Sequence, residues 1–461
     1  MGETETTRFN RRELLKRGGQ VSVLSGLAAY VGGSQAAAMG GGGPVGSSSG
    51  APERRGASGL KVYFDNPLFD AQLLRSLAHV YYGGADIGEC LSTARRIREG
   101  NFDSWYHEWW NTAKRVQAAA DASLAAGRRV SAREAYLRAS NYYRTASIVL
   151  YRKPVDSRFM AAFDRQTETF RQAAALFSPA VERVAIPFEG TTLPGYFYKV
   201  DDSGQSRPTV IATGGYDGTL EELYFWNAAA ALKRGYNCLS FDGPGQGAAL
   251  VKQGLSMRPD WENVVRPVVD YALTRRDIDP KRIALAGLSF GGYLAPRAAS
   301  GEHRLAACIA DTGQYDLLAA LKRALPLPQQ TLDRLPDVNP AVLQPIFDRL
   351  MRDPTQAWSL RRVMWVHGLA TPFDYVRATA EYNLIGRAER ITCPTLVTRA
   401  ENDPISAFAR QLYDALKVPK EYIEFTAAEG AGEHVEDGAR ALYHQRTFDW
   451  LDKVLGVTAD H

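Results

Sequence analysis

The chain has 461 residues, 45% hydrophobic and 23% charged, enough to bury a large core and, at ~100 to 200 residues per domain, to build two or three domains. Its 55 basic and 51 acidic side chains are spread along the sequence and leave a formal net charge of +4, which argues against a nucleic-acid partner. Cys90, Cys238, Cys308 and Cys393 stand far apart with no CxxC pair, which disfavours a zinc site and a disulfide scaffold and reads as buried thiols.

The first segment is an address. In "RFNRRELLKRGGQVSVLSGLAAYVGGSQAAAMG" a basic region with paired Arg11 and Arg12 precedes a mildly apolar run from Val21 to Val31 and the small residues Ala36 and Ala38. The pattern resembles a twin-arginine export signal over 1–38, cleaved near Ala38, although Asn10 and Leu14 depart from its consensus. A basic amphipathic helix is the competing reading. The apolar run is too short and glycine-broken for a permanent span, which takes ~20 apolar residues, so the expectation is an exported protein, periplasmic or secreted. Residues 39–59, rich in Gly and Ser, read as a flexible linker.

Residues 60–178 are helical by pattern. "LFDAQLLRSLAHVYY", "WYHEWWNTAKRVQAAADASLAAG" and "SAREAYLRASNYYRTASIVLY" space apolar residues three and four apart, and Ser131 with Glu134 forms a capping-box start for the third. From residue 179 the regime changes. "VERVAIPF" and "TLPGYFYKV" predict a strand pair around the Glu189–Gly190 turn. The runs "TVIAT", "NCLSFD", "RIALAG", "AACIAD", "PTLVTRA" and "EYIEFT" then alternate with amphipathic stretches, which predicts an α/β fold with a doubly wound, mostly parallel sheet. Its first part runs over 179–312 and its second over 391–461. The intervening 313–390 is helical and repeatedly broken by proline, and reads as a helical cap over the carboxyl edge of the strands, where ligands bind in such sheets.

"LAGLSFGGYLAPRAA", from Leu285 to Ala299, carries the chemistry. Ser289 lies in G-x-S-x-G between a predicted strand and a predicted helix. A serine hydroxyl becomes a nucleophile only when a base takes its proton, a third group orients that base and donors receive the oxyanion. The base should follow the serine in chain order, and His434 in the loop "AAEGAGEHVEDGA" occupies the expected place after the last strand. Asp403, after "PTLVTRA", is the candidate acid, with Glu401 its nearest substitute. Asp403 before Pro404 is equally a helix N-cap. For the oxyanion the candidates are the backbone N–H of Phe290 and one from "GGYDGT", at Tyr216 or Gly215. "DGPGQG", Asp242 to Gly247, reads as a tight turn and lacks a P-loop lysine. The aromatic stretches "WYHEWW" and "NYY" nominate Trp109, Tyr142 and Tyr143 as contacts to an apolar, aromatic small-molecule substrate, a hydrophobic helix interface being the alternative.

"GGYDGTLEELYF", "FDGPGQG", "GLSFGGYLAPRAA", "RLAACIAD", "ITCPTLV", "ENDPIS" and "GAGEH", in this order after a helical module, resemble the α/β-hydrolase family that contains 2,6-dihydroxypseudooxynicotine hydrolase and the fungal polyketide-shortening hydrolases. The resemblance implies a cofactor-free serine enzyme that cleaves a carbon–carbon bond beside a carbonyl in an aryl or polyketide ketone, with the triad on Ser289, Asp403 and His434. The family's extra acidic residue, beyond the strand after the nucleophile, has Asp311 and Asp316 as its candidates here. An exported carboxylesterase or acyl-peptidase, and a non-catalytic binding protein on the same fold, are the alternatives. The sequence leaves the oligomeric state open, a homodimer included.

Overall fold

A computed structural model describes residues 59–458. The expected export signal lies outside the described residues, as does the linker up to residue 58. Among the described residues no helix is long and apolar enough to cross a membrane.

The amino-terminal helices are α1 (Pro67–Ala78), α2 (Ile87–Ala94), α3 (Phe102–Ala125), α4 (Arg129–Ser147) and α5 (Ser157–Ala174). Four of them begin on a side chain that accepts from the orphan amides of the first turn: Asn66, Asp86, Asn101 and Asp156. The expected capping box at Ser131 and Glu134 does not form. Gly127, at φ 72°, ends α3, and the chain re-enters a helix at Arg129 with no side-chain cap, so Ser131 already lies within the first turn. Trp105, Trp109, Tyr136, Tyr142 and Tyr143 are fully buried in this module.

The sheet has eight strands: β1 (Glu182–Phe188), β2 (Thr191–Tyr198), β3 (Arg207–Thr213), β4 (Asn237–Phe241), β5 (Ile278–Leu288), β6 (Ala307–Asp311), β7 (Thr395–Ala400) and β8 (Lys420–Phe425). Their spatial order is β1-β2-β4-β3-β5-β6-β7-β8. β1 pairs antiparallel with β2, and β2 with β4, while all other pairs are parallel. β3 and β4 are buried almost throughout, as continuous apolar runs covered on both faces should be. Chain order reverses where β3 meets β5, which opens a crevice at the carboxyl ends of the strands.

Around the sheet run α6 (Glu262–Leu273) and α7 (Gly291–Ala299). Between β6 and β7 come α8 (Leu317–Ala324), α9 (Pro340–Leu350), α10 (Pro354–His367) and α11 (Pro372–Ala378), and after β7 come α12 (Ala409–Ala415) and α13 (Arg440–Leu455). Proline sits in the first turn of α9, α10 and α11, where its missing N–H costs nothing, so the prolines that break this segment also start its helices.

Candidate active site

Ser289 follows the last residue of β5 and is separated from α7 by Phe290, the helix's N-cap residue. Its φ of 62° is left-handed, a strain of ~1–3 kcal/mol that persists only when the surroundings impose it. They do so here by close approach. A β-carbon on Gly287 would lie 2.1 Å from the carbonyl oxygen of Gly291, so only glycine lets the strand fold back onto the helix. The turn leaves Ser289 partly exposed.

His434, from the loop after β8, brings Nε2 to 2.8 Å from Ser289 Oγ, and its Nδ1 lies 2.7 Å from Asp403 Oδ2. A carboxylate only accepts, so Nδ1 carries the proton, and Nε2 is left as a lone pair facing the serine hydroxyl. Burial lowers the affinity of His434 for a proton, but the Asp403 charge and hydrogen bond outweigh it and hold the pKa above the ordinary value. The side chain of His434 is 20% exposed and that of Asp403 1%, so a ligand can meet the imidazole but not the carboxylate. Asp403 combines the two roles that its sequence context offered, since its other oxygen accepts from Ile405 N–H at 3.0 Å and caps the turn that begins at Pro404. Glu401 points elsewhere and accepts from Ala427 N–H.

The loop after β3 faces the serine. A β-carbon on Gly215 would stand 2.8 Å from the backbone nitrogen of Phe290 and 2.9 Å from Ser289 Oγ, which leaves a space bounded by the Phe290 N–H. The Tyr216 ring stacks on Phe290 with centroids 4.5 Å apart. The "DGPGQG" turn holds the root of this loop: Gln246 donates from Nε2 to the Gly214 carbonyl at 2.7 Å and accepts from Thr213 and from Gly243 N–H. Sequence reading missed Gln246, because nothing in a glycine-rich turn announces which carbonyl its glutamine will reach.

The aromatic residues beside Ser289 are not those nominated from the helical module. Trp109 and Tyr142 pack on each other between α3 and α4, and Tyr143 packs on Trp110. The Tyr142 hydroxyl is engaged with Glu89 and Asp86, that of Tyr143 with Gln117. These rings fill a helix interface, which the spacing alone could not separate from a pocket wall. Around Phe290, the residue after the nucleophile, gather the rings of Tyr216 and Tyr293 with His367, Tyr375 and Tyr382 from the cap segment. A cleft of about 360 Å³ lies between the helical module and α10, with Tyr151, Trp358 and Arg361 among its walls.

Of the two acidic candidates beyond the nucleophile, Asp316 caps α8 through Ala319 N–H. Asp311, the last residue of β6, is buried, accepts from Thr398 Oγ1 at 2.8 Å, and contributes charge that raises the pKa of His434. Beside it lies Glu436, also buried, whose carboxyl hydrogen-bonds to that of Asp311. Burial pushes both carboxyls up, and the Asp311 charge pushes Glu436 further, so a proton stays on the pair.

A parallel sheet with a strained serine after β5, a histidine after β8 and an aspartate after β7 defines an α/β-hydrolase, and the α/β-hydrolase family model matches residues 210–445. The chain belongs to that family and is a hydrolase. It is 36% identical over 415 residues to the hydrolase LUC6 of Fusarium sp, across 86% of this chain and 99% of the relative. It is 35% identical over 424 residues to the 20-hydroxy-prefusarin hydrolase FUS2 of Gibberella moniliformis, again across 86% and 99%. Among solved structures, 2,6-dihydroxy-pseudo-oxynicotine hydrolase shares the fold at a TM-score of 0.63 and 22% identity, over 82% of this chain and 95% of that one.

Proposed function

We propose that this hydrolase works through Ser289, His434 and Asp403 on a carbonyl-containing small molecule, and that the bond it cleaves is a carbon–carbon bond in an aryl or polyketide ketone. The observation that carries the reading is the continuous chain from Ser289 Oγ to His434 Nε2, 2.8 Å, and from His434 Nδ1 to Asp403, 2.7 Å. Ser289 adds to the ketone carbonyl while His434 takes its proton, and Asp403 stabilises the imidazolium. The Phe290 N–H and a donor of the Gly215–Tyr216 segment receive the oxyanion. Collapse breaks the carbon–carbon bond. The electron pair leaves on an enolate carbon, which takes the proton from His434, and water then hydrolyses the acyl-serine by the same route.

The ketone substrate is supported by the relatives: FUS2, 35% identical over 424 residues, is named a hydrolase of 20-hydroxy-prefusarin. The paired Arg11 and Arg12 support export, and cell fractionation of wild type beside a double Lys variant at these positions tests that part.

The deciding assay compares wild type with Ser289→Ala on aryl β-diketones and short-chain aryl esters, with products identified by mass. Serine-dependent ketone cleavage is the expected result. Ester turnover alone makes the protein a carboxylesterase, and turnover that survives in Ser289→Ala removes the serine mechanism.

A further inference from the structure

The loop Gly214–Thr219 is held by three parts of the molecule. The hydrolase core holds its root, through Gln246 on the Gly214 carbonyl, and meets its crest where the Tyr216 ring stacks on Phe290. Its crest, Tyr216 and Asp217, is gripped from outside. From the helical module, the Tyr151 hydroxyl donates to the Tyr216 carbonyl at 3.3 Å, and Arg75 Nη1 donates to Asp217 Oδ1 at 2.9 Å. From the cap, α10 supplies two ties, Arg362 donating to the second Asp217 oxygen and His367 Nε2 lying 3.0 Å from the Tyr216 hydroxyl, and α11 brings the Tyr375 hydroxyl to 3.4 Å from that same hydroxyl.

The grip is buried and itself anchored. Arg75 also forms a two-point contact with Glu222, through Nε at 2.8 Å and Nη2 at 2.5 Å, and Glu222 meets His79 at 3.0 Å and Arg144 at 3.5 Å. Asp217, Arg75, Arg362 and Glu222 are all at most 9% exposed. His367 lies between two phenols, with Nδ1 3.1 Å from the Tyr382 hydroxyl, and burial lowers its pKa to about 3. It stays neutral, with one nitrogen donating and the other accepting. A buried two-arginine fork on one carboxylate has little freedom to slide, because each planar guanidinium fixes direction as well as distance.

Resting on the serine mechanism proposed above, we infer that Asp217 is a positioning residue through which the helical module and the cap together set the oxyanion geometry beside Ser289. The Gly215–Tyr216 segment beside Asp217 holds the proposed second donor, and the Tyr216 ring stacks on Phe290, whose N–H is the first. A displacement of ~1 Å in such a pair is enough for a loss of ~100-fold in rate. Arg75 and Arg362 meet the loop at Asp217, Arg75 bracing Glu222 as well and Arg362 lying over the Trp358 ring.

The test uses the full chain and the ketone or ester that wild type turns over in a Ser289-dependent manner. Arg362→Met, Arg362→Lys and Asp217→Asn are compared for kcat, KM, melting temperature and inhibition by an aryl trifluoromethyl ketone, whose serine adduct carries the oxyanion. The expected result for Arg362→Met is a kcat lower by ~10- to 100-fold, KM within about twofold, and inhibitor affinity that falls in step with kcat. Arg362→Lys should recover part of both. A purely structural role lowers the melting temperature and leaves kcat and inhibitor affinity of the folded protein at wild-type values, which overturns the inference while Ser289 dependence stands. Loss of Ser289 dependence in the wild type overturns both readings. Should Arg362→Met fail to fold, His367→Gln alters the cap's tie to the Tyr216 hydroxyl without changing a buried charge and is judged by the same readouts.

Discussion

Gly215 stands so close to Ser289 that a single added carbon would come within 2.9 Å of the serine oxygen and 2.8 Å of the Phe290 nitrogen. Gly215→Ala therefore puts a methyl group into the space where an oxyanion would bind. Loss of one such donor costs roughly 10²- to 10³-fold in kcat, and that range is expected here, with a melting temperature that changes far less than the rate. Steady-state kinetics beside thermal unfolding checks it.

Asp403 divides its oxygens between a catalytic and a structural duty. Asp403→Asn can keep the oxygen that caps Ile405 N–H, while the amide NH₂ faces His434 Nδ1 and imposes the wrong tautomer. Activity should fall by ~10⁴-fold with little loss of stability. Asp403→Ala loses both duties and should in addition cost ~1 kcal/mol for the missing cap, measured by denaturant unfolding.

The pH profile follows from His434. Its protonated form cannot take the serine proton, so activity is absent below its pKa and appears above it. Because Asp403 holds that pKa above 6.5, the acid limb of kcat/KM should have its midpoint above 6.5. A midpoint at or below 6.5 contradicts the assignment. The same raised pKa gives a stability contribution that is complete below the unfolded value and fades as pH rises through the folded one.

Glu436 offers a test of the buried carboxyl pair. Its folded pKa lies well above 4.5, so the folded state loses stability as pH rises from about 4.5 toward that folded value. Glu436→Gln keeps the shape and removes the titration. The variant should melt near wild type at pH ~4 and above it at alkaline pH, as a melting series across pH will read.

Trp109 separates packing from binding. It is completely buried and packed at a tilt against Tyr142 in the helical module, so Trp109→Ala should cost ~3–5 kcal/mol of stability and leave KM of the folded protein within about twofold. A KM raised tenfold with stability unchanged would return Trp109 to the binding site.

The fold was legible where local pattern and burial agree. The eight strands lie where the sequence marks strands, β1 and β2 as a pair around the Glu189–Gly190 turn and the rest alternating with helices from β3 onward, and Ser289 was legible because glycines two residues to either side fit one sharp turn. The aromatic stripe of α3 and α4 misled, since a ring facing a neighbouring helix and a ring facing a substrate have the same spacing. The partners of Asp217 were out of reach for another reason. Arg75 lies 142 residues before it and Arg362 145 after, and the pairing depends on tertiary geometry that neither local sequence encodes.

The Asp217 fork also bears on how the protein can be divided. Residues 210–445 contain the serine, histidine and aspartate but end short of Arg75 and Tyr151 on the amino-terminal side. A chimera that takes its helical module from a relative without a matching cation would leave Asp217 with half its counter-charge and Glu222 exposed to the same deficit. The three pieces are therefore exchangeable only as a set, and a shuffled library should retain activity where residues 75, 217 and 362 come from one parent.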